Sequence, residues 1–460
     1  NVDYPYSIQD STIAAQNASA WELTDIQLPS SGRLKITYES DDYAYVQNRR
    51  AMQLFQIAGF GNSASSTPGN QVYKDSKNDN YYLFVNTNIA LTDTGDLRRK
   101  FFGNNDTVFF KIAVQMPGDM WGSGYEFIPG YGVVSAMGLK SSTQFWIKFQ
   151  AVNGESPITR SALQFLRLNL SSKAYPGSEI GNDLDFANSI KLLVSSFNEI
   201  LNVVKGFDNA AMGKGECQQA DLSRSFIRLT CPTYKKYGGG LRVKRVELFD
   251  NWDSMTGQRE SSYGQEYSYT TTEEVNGQPV TISSGVASYE PAIGNEENPF
   301  HEPIEYAEKL APLAPVNYMF VEEPVCESFY PSASVGYSKV TVRTINRKAK
   351  SANGWDETCF YTTKDFPTLV DYSTFDNDSK KRYNPKLRAL LKINAEDFVT
   401  LSQGFKVELN DMNGKMKSQA SYPETDSLHP VRASYYYYKT DNPNAYQLHL
   451  NNTVPVVDSF

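Results

Sequence analysis

Apolar and polar residues alternate along most of this chain. Leu34-Lys35-Ile36-Thr37-Tyr38, Phe145-Trp146-Ile147-Lys148-Phe149, Leu241-Arg242-Val243-Lys244-Arg245-Val246-Glu247-Leu248 and Val340-Thr341-Val342-Arg343-Thr344-Ile345 all repeat with period two. That period sends successive side chains to opposite faces of an extended backbone, so each run predicts a half-buried strand. Val108-Phe109-Phe110-Lys111-Ile112-Ala113-Val114 is apolar enough to predict a strand buried on both faces. Between the runs, Asn-Gly occurs at Asn153-Gly154, Asn276-Gly277, Asn353-Gly354 and Asn413-Gly414. This dipeptide accepts the positive φ angles of a two-residue hairpin turn. The pattern predicts long antiparallel hairpins.

Helical spacing appears in fewer places. From Asn182 to Lys205, Leu184, Ala187, Ile190, Leu193, Val194, Phe197, Ile200, Leu201 and Val204 fall on one stripe, with Asp183 to cap the helix and Gly206 to end it. Ser161 to Leu168, Asn48 to Gln56 and Pro385 to Ile393 carry shorter helical patterns. Asn295 to Pro315 holds Pro299, Pro303, Pro312 and Pro315 among acids and predicts an exposed connecting loop. The resulting fold class is mainly β: long antiparallel hairpins forming an extended or spiralling sheet, with a helical insertion near 155–215. The expected organisation is a β-rich segment over 1–154, the helical insertion over 155–215 and a hairpin strip over 216–460.

Composition adjusts this picture in three ways. With 460 residues the chain is long enough to bury a large core without disulfides or metals. Thirty tyrosines suit pleated surfaces with one dry and one wet end. A formal net charge of −8 and the absence of a long basic run argue against nucleic acid as a partner. No run of apolar residues is long enough for a membrane-spanning helix. The chain starts at Asn1 with no signal-peptide pattern, and Val454-Pro455-Val456-Val457-Asp458 reads as a strand just begun. The expectation is a parent chain that continues at both ends.

Candidate chemistry is sparse. Only His301, His429 and His449 are available for a histidine-dependent triad or a transition-metal site. His301 lies in the proline-rich stretch, His429 precedes Pro430, and His449 alternates with Leu448 and Leu450, so structural roles are expected. Cys217, Cys231, Cys326 and Cys359 form no C-x-x-C pair; a short Cys217–Cys231 loop and four free buried thiols are both open. The acid pairs Asp41-Asp42, Glu296-Glu297 and Glu322-Glu323 are neighbours in sequence, and neighbours on a strand face opposite ways. Gly238-Gly239-Gly240 lacks the Lys-Ser/Thr of a phosphate loop and predicts a tight bend or close backbone approach where a strand begins. Lys235, Lys236, Arg242, Lys244 and Arg245 predict a solvated strand face, with an anionic glycan as the other reading. Tyr435 to Tyr438 predicts two rings on each face of a strand. No catalytic, cofactor-binding or metal-ligating residue is nominated.

Several segments resemble RHS/YD-repeat-related proteins of Bacteroidetes. Trp21 to Tyr45 (WELTDIQLPSSGRLKITYESDDYAY) resembles their "LPTGG–strand–YES-DY" stretch, and Tyr237 to Phe249 (YGGGLRVKRVELF) their "GGLRIKKI" strand. Tyr267 to Tyr289 (YSYTTTEEVNGQPVTISSGVASY) is similar to their tyrosine strand, turn and "SSGV". Val335 to Pro367 looks like "IGYSKVTV…YEFYTxxDYP", and Phe405 to Tyr422 (FKVELNDMNGKMKSQASY) has the strand–turn–strand cadence. Strict YD repeats and the family's autoproteolytic Asp motif are not visible. The resemblance implies a spiralling β-shell that often encloses a toxic C-terminal domain.

The functional expectation is a non-enzymatic structural segment of a large secreted or surface RHS-like protein. Its expected partners are the rest of the parent chain, a toxin cargo or secretion machinery, and a surface glycan; its expected location is extracellular or the cell surface. A surface adhesin or glycan-binding protein is the first alternative. A secreted carbohydrate-active enzyme, with two facing carboxylates from distant strands, is the second.

Overall fold

The fold is that of a computed structural model, which describes residues 9–75, 78–117, 124–152, 154–169, 208–209, 211–251, 256–257, 262–275, 277–291, 296–308, 317–322, 334–346, 349–350, 353–372, 380–382, 399–401 and 405–438. The chain is mainly β and its sheets are antiparallel, apart from one short parallel pairing of Gly285–Ala287 with Tyr45–Val46. Each alternating run named above lies in a strand, and two larger assemblies collect most of them.

The first assembly is a closed six-stranded barrel. Its circular order is Tyr125–Ser141, Gln144–Phe149, Tyr82–Asn86, Met52–Gly61, Ala220–Thr230 and Thr107–Gln115. Leu83, Val85, Phe110, Ile112, Phe145, Ile147, Phe149 and Ile227 belong to its core and are essentially without solvent contact. Closure gives each barrel strand a neighbour on both sides, with bulges at Ile57/Gly59, Val134/Ala136, Leu139/Ser141 and Asp221/Phe226. The helix Pro157–Asn169 adds Ile158, Ala162, Leu163 and Leu166 to the same core. It packs on the Tyr125–Ser141 strand where Gly130 leaves room: a Cβ there would lie 3.0 Å from Ser161 Oγ and 2.6 Å from the Phe110 ring.

The second assembly is a strip of neighbouring antiparallel strands. Its order is Asp25–Gln27, Arg33–Tyr43, Lys236–Phe249, Ser262–Ser268, Lys339–Asn346, Trp355–Phe360, Met416–Tyr422 and Arg432–Tyr435, with Ala349–Lys350 joined to Lys339–Asn346. Its longest ladder runs from Lys236 opposite Tyr43 to Phe249 opposite Arg33. Gly238, Gly239 and Gly240 lie inside this ladder, all with positive φ, at the register shift between Tyr237 and Leu241. They are a bulge just inside the strand rather than a bend before it, and the close approach expected of them is there. A Cβ on Gly239 would meet Val335 at 2.5 Å, and one on Gly240 would meet Asp41 at 2.8 Å.

The chain crosses between the assemblies twice. It leaves the strip after Tyr43, runs through Tyr45–Val46 and Arg49–Arg50, and enters the barrel at Met52. It returns from Thr230 through Cys231 to Lys236. A four-stranded sheet in the order Val335–Tyr337, Gly285–Ala287, Tyr45–Val46, Arg49–Arg50 covers the outward crossing. The barrel thus takes strands from both sides of residues 155–215, and the strip takes Asp25–Gln27 and Arg33–Tyr43 from the N-terminal part.

Some expectations need correction. Asn48 to Gln56 is not helical: Arg49–Arg50 and Met52–Gly61 are strands, because Met52, Leu54 and Ile57 are drawn inward by sheet pairing. Within Asn295 to Pro315, the described residues 296–308 are not an exposed loop. Glu297, Asn298 and His301 are buried, and Pro303–Glu308 pairs with Asn317–Glu322. The Asn276-Gly277 position does join a hairpin, of Thr270–Val275 with Gln278–Ser283. Asn413-Gly414 does not: Phe405–Glu408 pairs with Leu369–Tyr372, while Met416–Tyr422 belongs to the strip. The helical pattern at Ser161 to Leu168 is part of Pro157–Asn169. A helix at Ser11–Ala18, capped by Asp10, was not evident from spacing. The patterns at Asn182 to Lys205 and Pro385 to Ile393, with Cys326 and His449, lie outside the described residues.

Candidate functional site

The chemistry of this chain concentrates at the seam where barrel and strip meet. Two charged clusters lie there or close by, both built on Arg33–Tyr43 and Lys236–Phe249, and the inner one reaches the barrel through Leu54. Because those strands are paired, Asp42, Tyr43, Lys236 and Arg242 come from one ladder.

The inner cluster is centred on Lys236. Its Nζ lies 2.8 Å from Glu297 Oε2 and 3.0 Å from Glu290 Oε1, and the side chains of all three are 0–2% exposed. The Tyr43 hydroxyl donates to Glu290 Oε1 at 2.6 Å. The Leu54 backbone N–H, in a barrel strand, donates to Glu297 Oε1 at 2.9 Å. Burial alone would lower the Lys236 pKa; the two carboxylates outweigh it and hold the ammonium above its ordinary value. Burial, then the charge of Glu290, push the Tyr43 phenol well up.

The outer cluster is centred on Arg242. Its guanidinium reaches Asp42 Oδ2 at 2.6 Å, Glu39 Oε1 at 2.8 Å and the Tyr337 hydroxyl at 3.2 Å, and lies over the ring of Tyr269 at 4.3 Å. Asp42 also accepts from the Ser283 hydroxyl and pairs with Lys235 Nζ at 3.1 Å. The Tyr337 hydroxyl donates to Asp41. Burial raises the Asp41 carboxyl above the usual carboxylate range, although Tyr337 and Arg242 pull it back. These groups are pinned by several partners each, which fixes the geometry of the seam.

The basic set is therefore a solvated face only in part: Lys244 is exposed, as expected, but its neighbours are drawn into ion pairs. Lys236 and Arg242 are buried in ion pairs, Lys235 pairs with Asp42, and Arg245 pairs with Glu266 at 2.8 Å. Partners from distant sequence supply the compensating charge, which local composition did not disclose.

The other candidates are scattered. Glu296 pairs with Lys111 at 2.5 Å while its neighbour Glu297 turns to Lys236. The His301 carbonyl accepts from Tyr131 and Arg228, and the exposed His429 ring meets Asp426 at 2.8 Å. Cys217, Cys231 and Cys359 are free thiols, so the Cys217–Cys231 loop is not closed by a disulfide. Burial pushes Cys217 up to about 12. Among the described residues no group of three or more His, Cys, Asp or Glu is placed to hold a metal ion.

A further polar group sits at the start of the Pro157–Asn169 helix. Asp79 accepts from Ser156 N–H at 2.7 Å and Thr159 Oγ1 at 2.6 Å, so it caps the helix from a different segment. Nearby, burial, then the charges of Asp208 and Asp79, push the half-buried Glu155 up to about 7.

At the opposite end of the strip the surface is aromatic. Arg432–Tyr435 pairs with Met416–Tyr422 and, among the described residues, with nothing on its other edge. Tyr435 is 66% exposed and Tyr437 90%, while Tyr438 packs edge-on against Tyr361 and donates to the Met416 carbonyl. The run does not place two rings on each face, because the strand ends at Tyr435. No helix among the described residues is long and apolar enough to cross a membrane.

Glu297 and Lys236 are each conspicuous in the sequence, as an acid pair member and a basic-set member, but their meeting is not. Glu290 and Glu297 stand in an acid-rich stretch, and nothing local links them to Lys236. No protein-family model, curated protein or solved structure matches this chain.

Proposed function

We propose that this chain is a non-enzymatic structural segment of a large secreted or surface RHS-like protein, forming part of a β-shell that encloses a C-terminal cargo. The observation that carries the reading is the strip: its strands stand side by side in antiparallel order and end at Arg432–Tyr435, whose outer edge has no described partner. Such an edge is a template for further strands, and a shell grows by that addition. The buried charge clusters support a framework role, since their groups are committed to one another.

Electron microscopy of the protein as its native cell secretes it tests the reading. The expected result is a sheet that continues past Arg432–Tyr435 with more antiparallel strands around an enclosed volume. A solvated edge at Arg432–Tyr435, with the barrel and strip standing as a self-contained unit, would overturn it.

The exposed rings of Tyr435 and Tyr437 favour one second reading, a glycan-binding surface protein. A glycan array read with the full chain distinguishes the two. Binding that is lost in Tyr435→Ala/Tyr437→Ala favours the adhesin, and an array without binding favours the scaffold.

A further inference from the structure

The inner cluster holds the parts of a condensation reaction. A lysine amine, a carboxyl group and a second carboxylate are locked together with almost no solvent contact. We propose that Lys236 and Glu297 join in an intramolecular isopeptide bond, with Glu290 as the proton carrier. This goes beyond the scaffold reading and does not rest on it.

The geometry assigns the roles. Lys236 Nζ is 2.8 Å from Glu297 Oε2. A nitrogen that close to a carboxyl oxygen lies about 3.5 Å from the carboxyl carbon, so a rotation of the carboxyl group that turns its face to the amine completes the near-attack geometry. The other oxygen of Glu297 already receives the Leu54 N–H at 2.9 Å. That fixed backbone donor faces the oxygen on which negative charge develops during attack. Glu290 accepts from the same amine at 3.0 Å and is held there by the Tyr43 hydroxyl. It is placed to take a proton from nitrogen and return it to the leaving oxygen.

The steps balance without any added reagent. One proton passes, uphill because both carboxylates favour the ammonium, from Lys236 to Glu297 Oε2, giving a minor population of neutral amine beside a carboxylic acid. The amine lone pair attacks the Glu297 carboxyl carbon, and the electrons of the C=O bond move to Oε1. Glu290 takes one proton from the new ammonium nitrogen and gives it to the Oε2 hydroxyl. The C–Oε2 bond breaks, water leaves, and the C–N bond becomes an amide that keeps one hydrogen on nitrogen. Nothing is oxidised or reduced. The cluster carries one net negative charge before and after, but two of its three buried charges disappear. Removing buried charge favours the product, since isolated ions are costly in a dry interior. Holding both reactants in place replaces an effective concentration of about 10⁵–10⁸ M.

Intact-mass spectrometry of the full chain, purified and denatured, is the test. The expected mass is one water below the sum of the 51.6 kDa sequence. Tryptic digestion is expected to yield residues 236–242 bonded to residues 260–309, because an acylated Lys236 also resists cleavage. Fragmentation is expected to place the bond on Glu297. Lys236→Met and Glu297→Ala are each expected at their full sequence mass. Glu290→Gln, which keeps both reactants, is expected to remain unbonded while keeping the wild-type circular dichroism spectrum. Wild-type chain at its full sequence mass would overturn the proposal whatever the variants do. A bond mapped to Glu290, or one formed at full yield in Glu290→Gln, would equally overturn the assignment.

Discussion

Arg50 lies over the ring of Tyr234, with 3.9 Å between the guanidinium carbon and the ring centre. The two residues belong to the two chain crossings, one outward and one returning, so this contact clamps the crossings to each other. Arg50 also donates to the carbonyls of Arg99 and Cys231 at 2.8 Å and to that of Lys100 at 3.3 Å. A planar fork is needed to satisfy three carbonyls and a ring together. Arg50→Lys is therefore expected to lose most of the clamp, and Arg50→Ala all of it, at a cost of about 2–4 kcal/mol. Urea unfolding followed by circular dichroism reads the difference; equal stability of Arg50→Lys and wild type would count against the fork.

Arg242→Met leaves Asp42 buried without its closest cation. Asp42 keeps Lys235 and Ser283, so the loss is expected near the lower end for a broken buried pair, about 3 kcal/mol. Replacing both, as Arg242→Met/Asp42→Leu, is expected to recover only part of that loss, because the Asp42 charge is gone while Asp41 still loses Arg242. A double-mutant cycle in thermal denaturation measures it.

Glu155 makes stability depend on pH. Its carboxyl is raised from an ordinary 4.5 to about 7 by burial and by Asp208 and Asp79. Between those two values the folded chain holds a proton that the unfolded chain has released, so stability falls as pH rises through this window. Partial exposure screens the effect to about 1 kcal/mol. Melting temperatures from pH 4 to 8 are expected to show a decline that Glu155→Gln flattens, with the variant the more stable protein above pH 7.

Two glycines separate steric from conformational need. A Cβ on Gly285 would sit 1.9 Å from the Asp42 carbonyl oxygen, where backbone has no room to yield. Gly277 has open space around it but a φ of +74° in the hairpin turn. Gly285→Ala is expected to cost about 3 kcal/mol or more, and Gly277→Ala about 1 kcal/mol. Gly277→Asn is expected to be nearly neutral, since asparagine tolerates that backbone. Chemical denaturation of the three variants ranks them.

The strands were legible because their period is local. Leu34 to Tyr38 and Leu241 to Leu248 announce themselves within a few residues, and each is a strip strand. What the pairing joins is not local. Nothing near Phe226 says that it will face Gln56, or that Phe110 will then close a ring against Gly130. Asn48 to Gln56 misled for the same reason: its spacing suits a helix in isolation, and the sheet partners on both sides decide otherwise. The site was less legible than the fold. Lys236 reads as a surface residue among basic neighbours until Glu290 and Glu297 arrive from segments more than fifty positions away. The tyrosine run was conspicuous, but its exposure depends on where its strand stops.

Tyr43 and Lys236 face each other across the longest ladder of the strip. Everything between them, the whole barrel included, is therefore the connection of a single hairpin. Lengthening a connection costs little, about 0.6 kcal/mol for each doubling, so such a guest can be accommodated without disturbing the host ladder. The guest's two ends leave and return side by side, and a turn of about two to four residues would close the ladder in its place. The barrel is in this sense a cassette, and the strip is the frame into which it is set.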